Sequence, residues 1–326
     1  MQTYSVKTAT SLKVFMSELI DYAGLFLPAK LPLDSAIQNF AFFRESDRRW
    51  MLSRFIVPAG RLAELSAQSG DLFRQATEPF RFSVLGQGGT DHSAFMSSFQ
   101  ADLQMLLAFR RRHTMGIVAD VFEVVLPASV LSGRDELWHL LTVVHKHVAN
   151  VGGLRLYCEV PAGPQWSKMM ATLTDVLFEF NLAYATDYGL KVRCGGSSAA
   201  DFPSSADLTA ALLCCRKMGV ALKATAGLHH PLRHYDSSLK TKMHGFINVF
   251  GAGILTHVHH LDPKTTQAIL DDELADNFRF TDESFAWRDL AASVDDIAEI
   301  RQKALISYGS CSFEEPYQDL QEMGLM

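Results

Sequence analysis

A single (β/α)8 barrel is the fold this sequence predicts, and three observations predict it. Short apolar or β-branched runs alternate with amphipathic helical stretches over seven or eight units, the pattern of a parallel sheet. A length of 326 residues suits one large barrel. No composition break or linker divides the chain, so one domain is expected over 1–326, with 307–326 as a C-terminal tail carrying a short helix. A doubly wound sheet is the alternative. It fits less well, because no GxGxxG opens the first unit and GQGG at Gly86–Gly89 is not that fingerprint.

The units follow in order. Ile20–Pro28 is the first strand, with a helix over Leu33–Arg44 that opens on Asp34 and Ser35. Met51–Pro58 is the second, followed by a helix through Leu62 and Leu65. Phe80–Gly89 is the third. Its helix starts at Asp91 or Ser93 and carries Phe95, Phe99, Leu103, Leu106 and Phe109 at helical spacing. Ala119–Pro127 leads to a helix over Glu136–Val151, and Leu154–Pro161 to one over Trp166–Phe180. Leu190–Ser198 precedes a helix ending at Gly219, and Val220–Gly227 precedes a histidine-bearing loop and an apolar helix over Gly245–His257. Phe278–Arg288 is the candidate eighth strand, as Phe278–Thr281 or as a local hairpin, and a last helix is expected over Val294–Ile306. Ser312 and Glu315 stand at capping-box spacing in the tail.

Composition narrows the function classes. Net charge is −6, without the basic stripe of a nucleic-acid binder. The run Arg110–His113 closes a helix, where cations suit the dipole. Five cysteines form no CxxC pair, which points to a reducing compartment. The first twenty residues lack the long apolar core of a signal peptide, and no apolar run is long enough to span a membrane. A cytoplasmic protein without membrane or nucleic-acid partners and without a cofactor is expected. Oligomeric state is not legible.

Side-chain alternation turns the strands into a list of inward-facing groups. Arg155, Tyr157 and Glu159 face inward on the fifth strand, Lys191 and Arg193 on the sixth, and Lys223 and Thr225 on the seventh. Glu123 is the candidate on the fourth and Arg54 on the second. Burying such charges is costly, so the pattern points to chemistry near the C-terminal mouth more than to a structural salt-bridge layer. Three cations against one or two carboxylates favour a small anionic substrate, phosphorylated or carboxylated. A lysine beside another lysine has its ammonium form disfavoured. Lys223 is therefore expected to form a Schiff base with a carbonyl, with Lys191 lowering its pKa and Glu159 or Glu123 moving protons. In Cys194–Ser198, Gly195, Gly196 and Ser197 are positioned to cradle an anion. His229 and His230, just past the seventh strand, are further substrate-binding candidates, as are Arg193 and Thr225.

The stretch KATAG, Lys223–Gly227, resembles the KTSTG strand of deoxyribose-phosphate aldolase and its class I relatives, in which the lysine forms the Schiff base. The family's second lysine stands in K-x-x-G-G, and Lys191 stands in the similar but longer KVRCGG. Only Lys223 and Gly227 of the first motif match identically, and the second-lysine strand precedes rather than follows it. The family's fourth-strand aspartate has Glu123 or Asp120 as its counterpart. The resemblance implies an aldolase-like lyase. The whole chain, with DYAGLF and KATAGLHHP, also looks like a group of uncharacterised bacterial (β/α)8-barrel proteins, a likeness that supplies no activity.

Two other readings stand beside this one. His229, His230 and His234 lie near one loop, and His257, His259 and His260 end the next helix, so a metal-dependent hydrolase is one alternative. Against it, no HxH ends the first strand. A non-catalytic ligand-binding barrel is the other.

Overall fold

The computed structural model describes residues 7–326 and shows a closed eight-stranded parallel barrel ringed by helices. Helix α1 (Thr10–Met16) precedes the first strand. The first half of the barrel then runs β1 (Ile20–Tyr22), α2 (Leu33–Arg44), β2 (Leu52–Pro58), α3 (Leu62–Gln75), β3 (Phe80–Leu85), α4 (His92–Arg112) and β4 (Ile117–Val125). A short α5 (Ala128–Leu131) and α6 (Arg134–Val151) lead to β5 (Arg155–Glu159). Next come α7 (Trp166–Tyr184), β6 (Gly189–Arg193), α8 (Ser205–Met218) and β7 (Leu222–Thr225).

Local signals set these boundaries. Asp91 caps α4 by accepting from the Ala94 amide at 2.9 Å. Phe95, Phe99, Leu103, Leu106 and Phe109 form its buried stripe. Gly219 ends α8 in the left-handed region at φ 62°, where a residue with a Cβ is strained. In the basic run, Arg110 reaches across to the end of α6, donating to the Val151 and Gly152 carbonyls at 3.1 and 2.8 Å.

The last barrel strand departs from the expectation. Phe278–Arg288 does not close the barrel. Residues β10 (Phe278–Phe280), β11 (Ser284–Trp287) and β12 (Leu290–Ser293) form a separate antiparallel sheet, so the hairpin option describes this segment. It is preceded by the hairpin β8 (His234–Asp236) and β9 (Thr241–Met243), then α9 (Phe246–His259) and α10 (Pro263–Asp271). After α11 (Val294–Lys303), the closing strand is β13 (Leu305–Ser310), paired in parallel with both β7 and β1. Thus the segment read as helix end and tail is a barrel stave. Its side chains are buried on both faces except Ile306, so it lacks the alternation that marks a half-exposed strand. Helix α12 (Glu314–Glu322) follows, and Ser312 Oγ accepts from the Glu315 amide at 3.1 Å, as the capping spacing predicts.

Outside the barrel wall, one continuous apolar core joins strands to helices. Inside, Val121, Tyr157 and Ala221 pack with Ile306 as a small apolar layer. It sits toward the strands' N-terminal ends, and charged side chains occupy the interior above it. Among the described residues, no helix is long and apolar enough to cross a membrane.

Candidate functional site

Strand register places Glu159, Lys191 and Lys223 at one level, with Glu123 one inward position lower, opposite Tyr157. Lys191 pairs with Lys223 across β6 and β7, and Glu159 with Lys191 across β5 and β6. Lys223 Nζ lies 2.5 Å from Glu123 Oε1 and 2.7 Å from Asp21 Oδ2. Lys191 Nζ lies 2.8 Å from Glu123 Oε2 and 3.0 Å from Glu159 Oε2, as charge pairs without hydrogen-bond alignment. Arg193 Nε reaches Glu159 Oε1 at 3.1 Å. One chain of alternating charge therefore runs Asp21–Lys223–Glu123–Lys191–Glu159–Arg193 across β1, β7, β4, β6 and β5. All but Arg193 are buried.

Three hydroxyl and amide donors hold the carboxylates in place. Ser307 Oγ donates to Asp21 Oδ2 at 2.6 Å, and the Arg54 amide to Asp21 Oδ1 at 3.0 Å. Ser83 Oγ donates to Glu123 Oε1 at 2.5 Å. Asp21, Ser83 and Ser307 were missing from the sequence-derived list. The signal for Asp21 was present: a carboxylate in mid-strand between apolar neighbours is as informative as a lysine there.

Asp21 corrects the charge count. Three carboxylates face three cations, so the interior carries no excess positive charge to favour an anion. It also corrects the expected electrostatics of Lys223. Burial alone would lower its pKa, but Asp21 and Glu123 outweigh burial and raise it above 10.5. Lys191 is raised in the same way, burial being outweighed by Glu123 and Glu159. Glu123, whose burial opposes its charge, is held well below the carboxylate range by Lys191 and Lys223.

A Cβ on Gly309 would lie 3.0 Å from Ile56 Cδ1 and 3.1 Å from Thr225 Oγ1, so both side chains reach the space beside Gly309. Lys223 is 1% exposed. The other candidates sit at the rim or elsewhere. Arg54 turns away from the network, toward Asp120, with Nε and Nη2 each 2.9 Å from a carboxylate oxygen. In the loop after β6, Asp201 Oδ2 accepts from the Ser198 amide at 2.8 Å and from the Ser198 hydroxyl at 3.0 Å, so the chain's own carboxylate holds the last residue of that loop. A Cβ at Gly195 would meet Phe202 and Gly227, and one at Gly196 would meet Asp201. The room these glycines leave is filled by protein.

The histidines are bound to other partners. His229 Nδ1 lies 3.2 Å from Glu315 Oε2 and 3.8 Å from Cys311 Sγ, and His230 Nδ1 lies 2.7 Å from Asp319 Oδ2. Two adjacent loop histidines thus hold two carboxylates one turn apart on α12. His257 and His259 face the Gly253 and Ala291 carbonyls at 2.8 and 2.7 Å. Among the described residues, no group of three or more His, Cys, Asp or Glu side chains is arranged to hold a metal ion. The two histidine clusters assemble no ligand set.

Burial alone would lower the His229 pKa, but Cys311 and Glu315 raise it to about 9. A histidine raised on folding contributes stability fully below its ordinary 6.5, and that contribution is lost as pH rises through about 9. Amide exchange in α12 is therefore expected to accelerate selectively between pH 8 and 10 (approximate bounds around the shifted value), beyond the intrinsic base-catalysed rise. In His229→Gln this selective acceleration disappears. Exchange in α12 that only tracks α6 would contradict a role of the His229–Glu315 contact in holding α12.

No family model matches the sequence, and no curated protein matches it. Among similar solved structures is one described as "GH6 Orpinomyces sp. Y102 enzyme". It is 9% identical, with 69% of this chain and 73% of that chain covered, at a TM-score of 0.35. A likeness at that level says nothing of activity.

Proposed function

We propose that the chain is an enzyme acting on a small carbonyl compound through an iminium formed on Lys223, in the manner of an aldolase or related lyase. The observation that carries this reading is the Lys223 nitrogen held between Asp21 and Glu123 at 2.7 and 2.5 Å. Such a pocket stabilises a positive charge on nitrogen. An iminium carries that charge in the place of the ammonium it replaces, so the same two carboxylates stabilise both.

The steps balance with solvent as the outside proton source. Lys223 loses one proton to solvent, and the freed lone pair attacks the carbonyl carbon. Glu123 carries one proton from the nitrogen to the alkoxide, and one proton from solvent lets the hydroxyl leave as water, giving the iminium. Lys191 lies between Glu123 and Glu159 and keeps Glu123 charged beside the reacting nitrogen. The KATAG resemblance to deoxyribose-phosphate aldolase relatives supports the same lysine.

Two features bound the substrate. A fully buried amine favours a compact carbonyl that enters when the side chains around it move. Arg193 is the cation at the rim that could face an anionic substituent, its side chain 44% exposed. The test is reduction with borohydride in the presence of small aldehydes, ketones and sugar phosphates. A single adduct per chain by intact mass is expected with at least one of them. No adduct with any member of the panel would contradict the proposal.

A further inference from the structure

At the opposite end of the barrel lies a cavity that the lysine network does not use. Its volume is about 830 Å³, within the range of small-ligand sites. Ser53 and Arg54 at the start of β2, Arg81 on β3, Arg155 opening β5 and Ile306 on β13 line it, which places it at the strands' N-terminal ends. A second cavity of about 560 Å³ shares Arg54, Arg155 and Ile306 with it, so the two adjoin.

The lining is cationic. Lys13 on α1 and Arg301 on α11 join Arg54, Arg81 and Arg155 there, against the carboxylates Glu18 and Asp47. Three of the five are partly neutralised: Arg54 by Asp120, Arg81 by Glu18 and Arg155 by Asp187. Lys13 and Arg301 have no carboxylate within ion-pair distance among the described residues. Arg301 is 7% exposed and donates only to carbonyls, to Phe15 and Ser17 at 2.9 Å each, to Ile306 at 2.6 Å and to Leu305. A guanidinium has five N–H donors, so this buried side chain retains one for the cavity. Tyr157 lines the adjoining cavity, and its fully buried hydroxyl has no hydrogen-bond partner among the described residues. A buried group of that kind is costly unless something pairs with it.

We propose that this N-terminal cavity is a binding site for a small dianionic ligand of the phosphate type, distinct from the carbonyl site. Two uncompensated cations set the charge. The one remaining N–H of Arg301 and the forked donors of Arg81 and Arg155, each only partly engaged, suit an oxyanion with several acceptor oxygens. Tyr157 gives the site a physical link to the other end. Lys223 Nζ lies 5.5 Å from the centre of its ring, and the same side chain lines the adjoining cavity and packs with Val121, Ala221 and Ile306. The inference rests on no part of the Schiff-base reading.

Calorimetric titration of the full chain with inorganic pyrophosphate, at constant ionic strength, tests it. Saturable binding is expected, weakened at least tenfold in the double variant Lys13→Gln, Arg81→Gln. Both side chains are partly exposed, so the variant is expected to keep the far-ultraviolet circular dichroism of the parent. Arg193→Gln, at the far rim, is expected to bind as the parent does. No saturable binding, binding unchanged in the double variant, or binding lost in Arg193→Gln would each overturn the assignment.

Discussion

Glu123→Ala is expected to destabilise the fold by about 3–5 kcal/mol, the cost of breaking a buried ion pair by removing one partner. Glu123 is the shared member of the network: its two oxygens lie 2.5 Å from Lys223 Nζ and 2.8 Å from Lys191 Nζ. Removing it leaves two buried ammonium groups with one carboxylate each and deprives Ser83 of its acceptor. Glu123→Gln keeps the volume but donates where it must accept, so it is expected to recover only part of the loss. Urea denaturation at pH 7 checks both. The pH dependence carries its own sign. A carboxylate lowered on folding stabilises above its ordinary 4.5 and loses that contribution as pH falls toward its folded value. The gap between parent and Glu123→Ala should therefore narrow in acid. A deficit below about 1 kcal/mol at pH 7 would mean that the buried charges are solvated or neutral, and the network account would not stand.

The second large effect concerns pH and imine formation. The raised Lys223 pKa leaves only a small neutral fraction at pH 7, and that fraction grows about tenfold per pH unit below the pKa. The initial rate of borohydride-trapped adduct formation is thus expected to climb about a thousandfold between pH 7 and 10, without a plateau. The sequence taken alone predicts the opposite, a lysine already neutral near pH 7 because Lys191 stands beside it. The structure reverses that sign because Asp21 and Glu123 both lie closer to Lys223 Nζ than a second lysine could without a bridging carboxylate. A plateau reached below pH 8 would indicate a depressed lysine pKa and contradict the electrostatics described here.

What the sequence makes legible follows from period. Seven strands stand out because each apolar run ends in Pro, Gly or polar residues and hands over to a helical stripe. The phase of β5, β6 and β7 correctly orients Glu159, Lys191 and Lys223, since their outward neighbours are uniformly apolar. The eighth strand is not legible. Leu305–Ser310 follows α11 after one residue and is buried on both faces, whereas Ser284–Trp287, with two large aromatics, reads as a strand but pairs only with its own hairpin neighbours. Asp21 stands in mid-strand between Ile20 and Tyr22, but with three residues β1 is too short for alternation to show which way it faces. Counted without it, the interior carries a positive excess that its carboxylate removes. The partners of His229 and His230 lie about 90 residues downstream, at a separation no local pattern reveals.

Lys223 is the proposed nucleophile, and the position of the reduced adduct decides whether it is. Peptide mapping after borohydride reduction with the most reactive carbonyl of the panel is expected to place the added mass on Lys223. The adduct should vanish in Lys223→Met and persist in Lys191→Met. An adduct confined to surface lysines, or one that remains on the protein in Lys223→Met, would contradict the account.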